Sequence, residues 1–208
     1  MATIHHTTLT PGKLELLTEW MPKQDWYLGG NTAPDLAKAG GFRLDDPDGE
    51  VGIEFVVVAD TAAPGRTAYL VPLGYRGAAL PDAPDGALIG TCEHGVLGTR
   101  WVYDGAHDPV VRAQLAALLR GEAVPQQQSE SDTPDPTVTV HGAGPVTGPE
   151  VDLVRVLRAA PATEAAQAAQ AEEGAPAHLV AGWTWPDGTT AQGTFARAVH
   201  GTTPVRSE

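Results

Sequence analysis

A chain of 208 residues, 42% of them hydrophobic, suits one domain or two small ones packed together and buries roughly 70% of its unfolded surface. Its 26 acidic against 13 basic side chains leave a net charge of −13, which repels phosphate backbones and anionic lipid and so excludes nucleic acid and membrane surfaces as partners. The single cysteine, Cys92, excludes an intramolecular disulfide and a zinc site built on several thiolates.

Residues 2–9 (ATIHHTTL) alternate and are rich in β-branched types, which predicts a first strand. Thr10-Pro11 offers an N-cap followed by proline, and Leu14, Leu16, Leu17, Trp20 and Met21 repeat one helical face until Pro22 ends it. Gln24 to Gly30 is an aromatic-then-glycine turn, and 31–41 reads as irregular or weakly helical. After the short Phe42-Arg43-Leu44 and the Pro47-Asp48-Gly49 turn, residues 51–59 place Val51, Ile53, Phe55 and Val57 on one face of a strand. Pro64-Gly65 turns the chain into 66–73, where Tyr69 and Val71 share a side and Pro72 predicts an edge or an ending strand.

A glycine- and proline-rich loop (74–86) leads to short strands at 87–90 and 99–103. Residues 107–120 predict a helix capped by Asp108 and opened by Pro109, with Val111, Leu115, Leu118 and Leu119 as its apolar stripe. The polar, acidic run 124–135 reads as a linker or exposed loop. Strands follow near 137–141 and 151–157, then an Ala/Glu/Gln-rich stretch, 162–175, with helix propensity but nothing bulky to anchor it. The last feature is a hairpin, 178–185 and 190–199, closed by Pro186-Asp187-Gly188, with Leu179, Ala181, Trp183 and Trp185 on one face.

The chain lacks the usual parts for phosphoryl transfer. Its lysines are Lys13, Lys23 and Lys38, its only asparagine is Asn31, and no glycine-rich loop ends in Gly-Lys-Ser/Thr. Cys92 and His94 lie two apart in an extended segment and could share a side; they form the candidate nucleophile pair, against a reading as buried thiol and loop-bonded histidine. The His5-His6 pair has no identifiable partners, and no metal site is expected. Trp183 and Trp185, with Trp101 and Tyr103, could form a stacking platform for sugar rings, or serve as core and interface anchors. Glu54, inside an apolar strand, and Arg100, beside Trp101, could form an internal ion pair with a structural role. No basic leader and no apolar run near ~20 residues is present, so a cytoplasmic protein is expected.

The early strand, the amphipathic helix and Gln24-Asp25-Trp26-Tyr27-Leu28-Gly29-Gly30 together resemble the opening of maltokinases. Tyr69 to Arg76 is similar to that family's Y-x-V-P-L strand, and Trp101 to Pro109 to its entry into a helix. The block Gly95 to Asp104 is closer still to short proteins named for a maltokinase N-terminal cap-like domain, some of them called glucan-branching proteins. The resemblance covers about residues 1–120. It implies an α+β fold of antiparallel sheets with a few flanking helices, and a cap that holds none of the catalytic residues. Asn31-Thr32-Ala33 stands where the family has basic residues, and the catalytic lobe has no counterpart.

The organisation expected is a cap-like domain (1–123), a linker or exposed loop (124–135), a small β-rich subdomain (136–200) and a disordered tail (201–208). The function expected is that of a non-catalytic accessory or interaction protein, without cofactor, in α-glucan, trehalose or maltose metabolism. Its implied partner is a maltokinase-like or α-glucan enzyme, with Trp26, Tyr27, Trp101, Trp183 and Trp185 as candidate contacts. The alternatives are a small carbohydrate-binding module that takes oligosaccharide on its Trp-rich hairpin, and an enzyme built on Cys92 and His94.

Overall fold

The computed structural model describes residues 9–30, 32–62, 65–130, 132–142, 144, 146, 150–160 and 175–199. The expected strand over 2–9 except Leu9, the Ala-rich stretch 162–175 except Ala175, and the tail lie outside the described residues. What is described is mostly antiparallel β-structure with two short α-helices, an α+β architecture weighted towards β.

The larger sheet is built from β1 (Leu9–Thr10), β2 (Leu36–Leu44), β3 (Gly52–Asp60), β4 (Thr67–Arg76), β5 (Leu88–His94) and β6 (Gly98–Asp104), in the order β1-β5-β6-β4-β3-β2. The short β9 (Val156–Leu157) also pairs with β4. The second sheet contains β7 (Thr139–His141), β8 (Val151–Leu153), β10 (His178–Thr184) and β11 (Thr190–Ala198), in the order β7-β10-β11-β8. The expected strand 151–157 is thus two strands, one in each sheet. The helices are α1 (Lys13–Trp20), continued by a 3₁₀ turn at Met21–Lys23 that contains Pro22, and α2 (Pro109–Leu119).

Alternation along β3 divides the interior in two. Ile53, Phe55, Val57 and Ala59 face α2 and the second sheet, where they join Phe42, Leu70, Leu115, Leu179, Trp183 and Phe195. Val56 and Val58 face α1, with Tyr69, Val71, Leu73, Cys92 and Val102. Both faces of β3 and β4 are covered, which is why their sequences read as near-continuous apolar runs. Residues on both sides of 124–135 contribute to the first of these clusters. That segment itself lies along β2: Arg43 and Gln126 exchange both backbone bonds at 2.9 Å.

Three expectations change. Residues 36–41 are strand, not irregular. Gly40 and Gly41 sit beside a bulge with φ of +144° and +122°, and a Cβ on Gly41 would lie 1.9 Å from the Phe55 carbonyl oxygen. Pro72 is in the middle of the sheet, not at an edge. Its missing N–H faces the gap between β9, which ends its pairing at Tyr69, and β6, which begins at Leu73, while its carbonyl accepts from Gly105. Thr10 belongs to β1, and α1 instead begins after Gly12, whose N–H donates to Glu15 Oε2 at 2.6 Å.

Asp108 and Pro109 open α2 as expected. The Asp108 carboxylate accepts from the Val110 and Val111 amides and takes a two-pronged contact from Arg76, at 2.6 and 2.8 Å, with no exposure to solvent. Gly121, at positive φ, ends the helix by the paired bonds Gly121 to Leu118 and Glu122 to Ala117.

Candidate functional site

Helix α1 is only eight residues long and covers part of its face of the larger sheet. Beyond its N-terminus a pocket of about 480 Å³ remains open. Three strands supply the floor. Arg43, Glu54 and Tyr75 come from β2, β3 and β4, with Gly52 opposite Tyr75 to make room. The 46–51 turn and Gln128 form one wall; Leu9, Lys13 and the β5–β6 hairpin form the other.

Glu54 is 6% exposed and carries a charge in a largely apolar strand. Lys13 Nζ meets both its oxygens at 2.7 and 2.8 Å, the Tyr75 hydroxyl donates at 3.1 Å and Gln128 Nε2 at 3.0 Å. A buried carboxylate is tolerated only with such compensation. The Tyr75 hydroxyl is pushed well above its ordinary range, first by burial and then by the Glu54 charge. The Glu54–Arg100 pair does not form: Lys13 holds Glu54, and Arg100 Nη2 donates to the Leu97 carbonyl at 2.8 Å. Both residues nonetheless line the same pocket.

Asp46 is the second buried acid here, at 4% exposure. It accepts from the backbone amides of Asp48, Glu50 and Val51 and so ties the 46–51 turn to itself.

Cys92 and His94 lie on β5 on the α1 side of the sheet. Cys92 is buried in the α1 cluster, and its thiol is raised, chiefly by burial. The His94 Nδ1 accepts from the Val96 and Leu97 amides, at 3.3 and 3.1 Å, and organises the hairpin that walls the pocket. With Nδ1 accepting, the neutral ring carries its proton on Nε2.

The aromatic candidates are dispersed. Trp26 packs on Trp20 and Tyr69, 5.7 and 5.8 Å between centroids, with the Arg155 guanidinium over its ring. The Tyr27 hydroxyl donates to Asp60 at 2.7 Å and is raised by burial and by that carboxylate. Trp101 is half-buried on β6, opposite Thr91 and Arg76. Trp183 is 3% exposed in the core beside Phe195, while Trp185 is half-buried with Arg66 over its ring at 4.7 Å. Trp101 and Tyr103 sit in the larger sheet, Trp183 in the smaller one, and Trp185 just past the end of β10.

Residues 20–108 match the model of the maltokinase N-terminal cap domain. That segment is similar to the maltokinase N-terminal cap domain. The comparisons with curated proteins and with solved structures give no match. The cap segment runs from Trp20 at the end of α1 to Asp108 at the start of α2 and carries β2 to β6. It supplies Arg43, Glu54, Tyr75 and Arg100 to the pocket, whereas Lys13 and Gln128 reach in from either side of it. Neither Lys13 nor Gln128 stood out in the sequence, because their contacts to Glu54 span 41 and 74 residues.

Proposed function

We propose that this chain is a non-catalytic accessory that docks through its cap segment on a maltokinase-like or other α-glucan enzyme, in cytoplasmic α-glucan, trehalose or maltose metabolism. The observation that carries the reading is the cap match over 20–108. It is supported by the absence, within this chain, of a Gly-Lys-Ser/Thr loop and of any lysine after Lys38. The cap segment also presents large apolar side chains to solvent: Leu28 and Val96 at 62% exposure and Leu97 at 46%. Mixing the chain with a purified maltokinase should give a complex on size-exclusion chromatography. Val96→Asp with Leu97→Asp should weaken it without lowering the melting temperature. Independent elution from maltokinase and from α-glucan enzymes alike would end this reading.

Oligosaccharide binding is a second reading, favoured by one feature of the smaller sheet. A cleft of about 790 Å³ between β2 and β10 is lined by Thr137, Thr139, Thr184, Thr190 and Gln192, with no charged side chain among its described lining. Trp183 borders it, and the Trp183 Nε1–H is buried without an acceptor among the described residues. Such neutral donors and acceptors suit a hydroxyl-rich neutral ligand. Maltooligosaccharide titration followed by tryptophan fluorescence should saturate, and Trp183→Phe, which keeps a six-membered aromatic ring but removes the pyrrole N–H, should weaken it. A flat titration in the unaltered chain would remove this reading.

A further inference from the structure

The pocket at the N-terminus of α1 has an asymmetry in its polar groups. Its acids are already held: Glu54 by Lys13, Tyr75 and Gln128, and Asp46 by three amides of its own turn. Only Glu50, exposed at the rim, is an acid with no such cage. The donors are not all committed. Arg100 Nε–H is buried and has no acceptor among the described residues, although Nη2 of the same guanidinium is anchored to Leu97 and Nη1 lies against Gly77. Lys13 uses two contacts on Glu54, which leaves one ammonium hydrogen over.

A buried guanidinium N–H without an acceptor is costly, and a carboxylate or phosphate oxygen is the partner that offsets the cost best. Arg43, the other cation of the lining, already donates to the Gln127 and Glu130 carbonyls, and Leu9 and Leu97 are the apolar side chains that border the opening. At about 480 Å³ the space suits a small organic molecule, not a bare ion or a chain segment. We propose that this pocket binds a small organic oxyanion, a carboxylate or phosphate carried on an apolar body, with Arg100 and Lys13 as its anchors. The anionic head meets Arg100 Nε and the remaining Lys13 hydrogen, and the body lies against Leu9 and Leu97. The net charge of the chain opposes anions at long range, so binding here depends on the desolvated local contacts and should persist in moderate salt. This inference stands whether or not the cap segment docks on an enzyme.

Calorimetric titration of the full chain with phenyl phosphate, benzoate and benzyl alcohol tests it. Phenyl phosphate or benzoate should bind saturably with a Kd of about 1 mM or tighter, and benzyl alcohol should not. Which of the two anions binds tighter identifies the head group. Arg100→Met, which keeps the apolar stem, should weaken the anion by about tenfold or more at unchanged melting temperature. A second readout needs no variant: the Arg100 Nε–H resonance of the unaltered chain should shift on adding the anion. No saturable binding of either anion up to about 10 mM, equal binding of benzyl alcohol, unchanged affinity in a folded Arg100→Met, or an unmoved Nε–H resonance would each overturn the proposal.

Discussion

The two faces of the larger sheet are built from alternate residues of the same strands but are finished differently. The face reached by Ile53, Phe55 and Val57 is closed by α2 and by the whole second sheet. Phe42 and Phe55 stack there at 4.6 Å with 5° between planes, and Phe195 from the other sheet lies 6.4 Å from Phe42. The opposite face, reached by Glu54, Val56 and Val58, has an eight-residue helix for a lid, and charge appears where the lid ends. The sheet-closed face buries the large rings and leaves a neutral cleft at its margin, between β2 and β10; the helix-closed face leaves a pocket lined with charge.

The largest effect expected from this contrast is on the closed face. Phe55→Ala removes a fully buried ring and half of the stacked pair, which should lower unfolding free energy by about 3–5 kcal/mol. Chemical denaturation measures it. A loss under about 1 kcal/mol would mean that the second sheet does not pack as described.

Arg76→Met tests the edge between the faces. It leaves the fully buried Asp108 carboxylate with its two helix amides but no counter-charge, at a cost of about 3 kcal/mol. Asp108→Asn should cost less, since an amide oxygen still caps α2 and the charge left unpaired is that of Arg76, which is 18% exposed and can still reach water, whereas Asp108 cannot. The order of the two variants, read from denaturation midpoints, decides whether Asp108 acts chiefly as a cap or as an ion-pair partner.

Glu54→Gln, on the open face, should cost about 1–2 kcal/mol. Lys13, about one-third exposed, can turn to water once the carboxylate has gone, and the glutamine still accepts from Tyr75. If the loss instead rivals that of Phe55→Ala, the pocket is part of the structural core and the distinction between the faces fails.

Much of this division was legible in the sequence. The alternation over 51–59 sorts Ile53, Phe55 and Val57 onto one side, and Asp108-Pro109 and Asp187-Gly188 mark a helix start and a hairpin. These signals are local, and local signals survive folding. What was not legible depends on distant chain. Gly40-Gly41 reads as a breaker unless the Phe55 carbonyl that crosses it is known, and Pro72 reads as an edge unless β6 and β9 are known to leave a gap beside it. Glu54 was conspicuous as a buried charge, but nothing in its neighbourhood pointed to Lys13 or Gln128, and Arg100 was the nearer guess.

The smallest effect concerns how firmly the second sheet closes its face. His141 on β7 stands directly across from His178 on β10, with ring centroids 5.6 Å apart, and its Nε2 lies 2.9 Å from the Thr139 hydroxyl. Burial first, and the neighbouring His178 second, lower its pKa below the ordinary value. A histidine lowered in the folded state binds its proton more readily once unfolded, so acid favours unfolding. The stabilising contribution is therefore complete above the unfolded value of about 6.5 and is lost as pH falls through the lower folded value. Denaturation midpoints should fall between about pH 7 and pH 5, before most carboxylates titrate. His141→Gln should flatten that slope while leaving the pocket on the far side of the larger sheet unaffected. An identical slope in the variant would place the acid sensitivity elsewhere and leave the sheet-closed face indifferent to pH over this range.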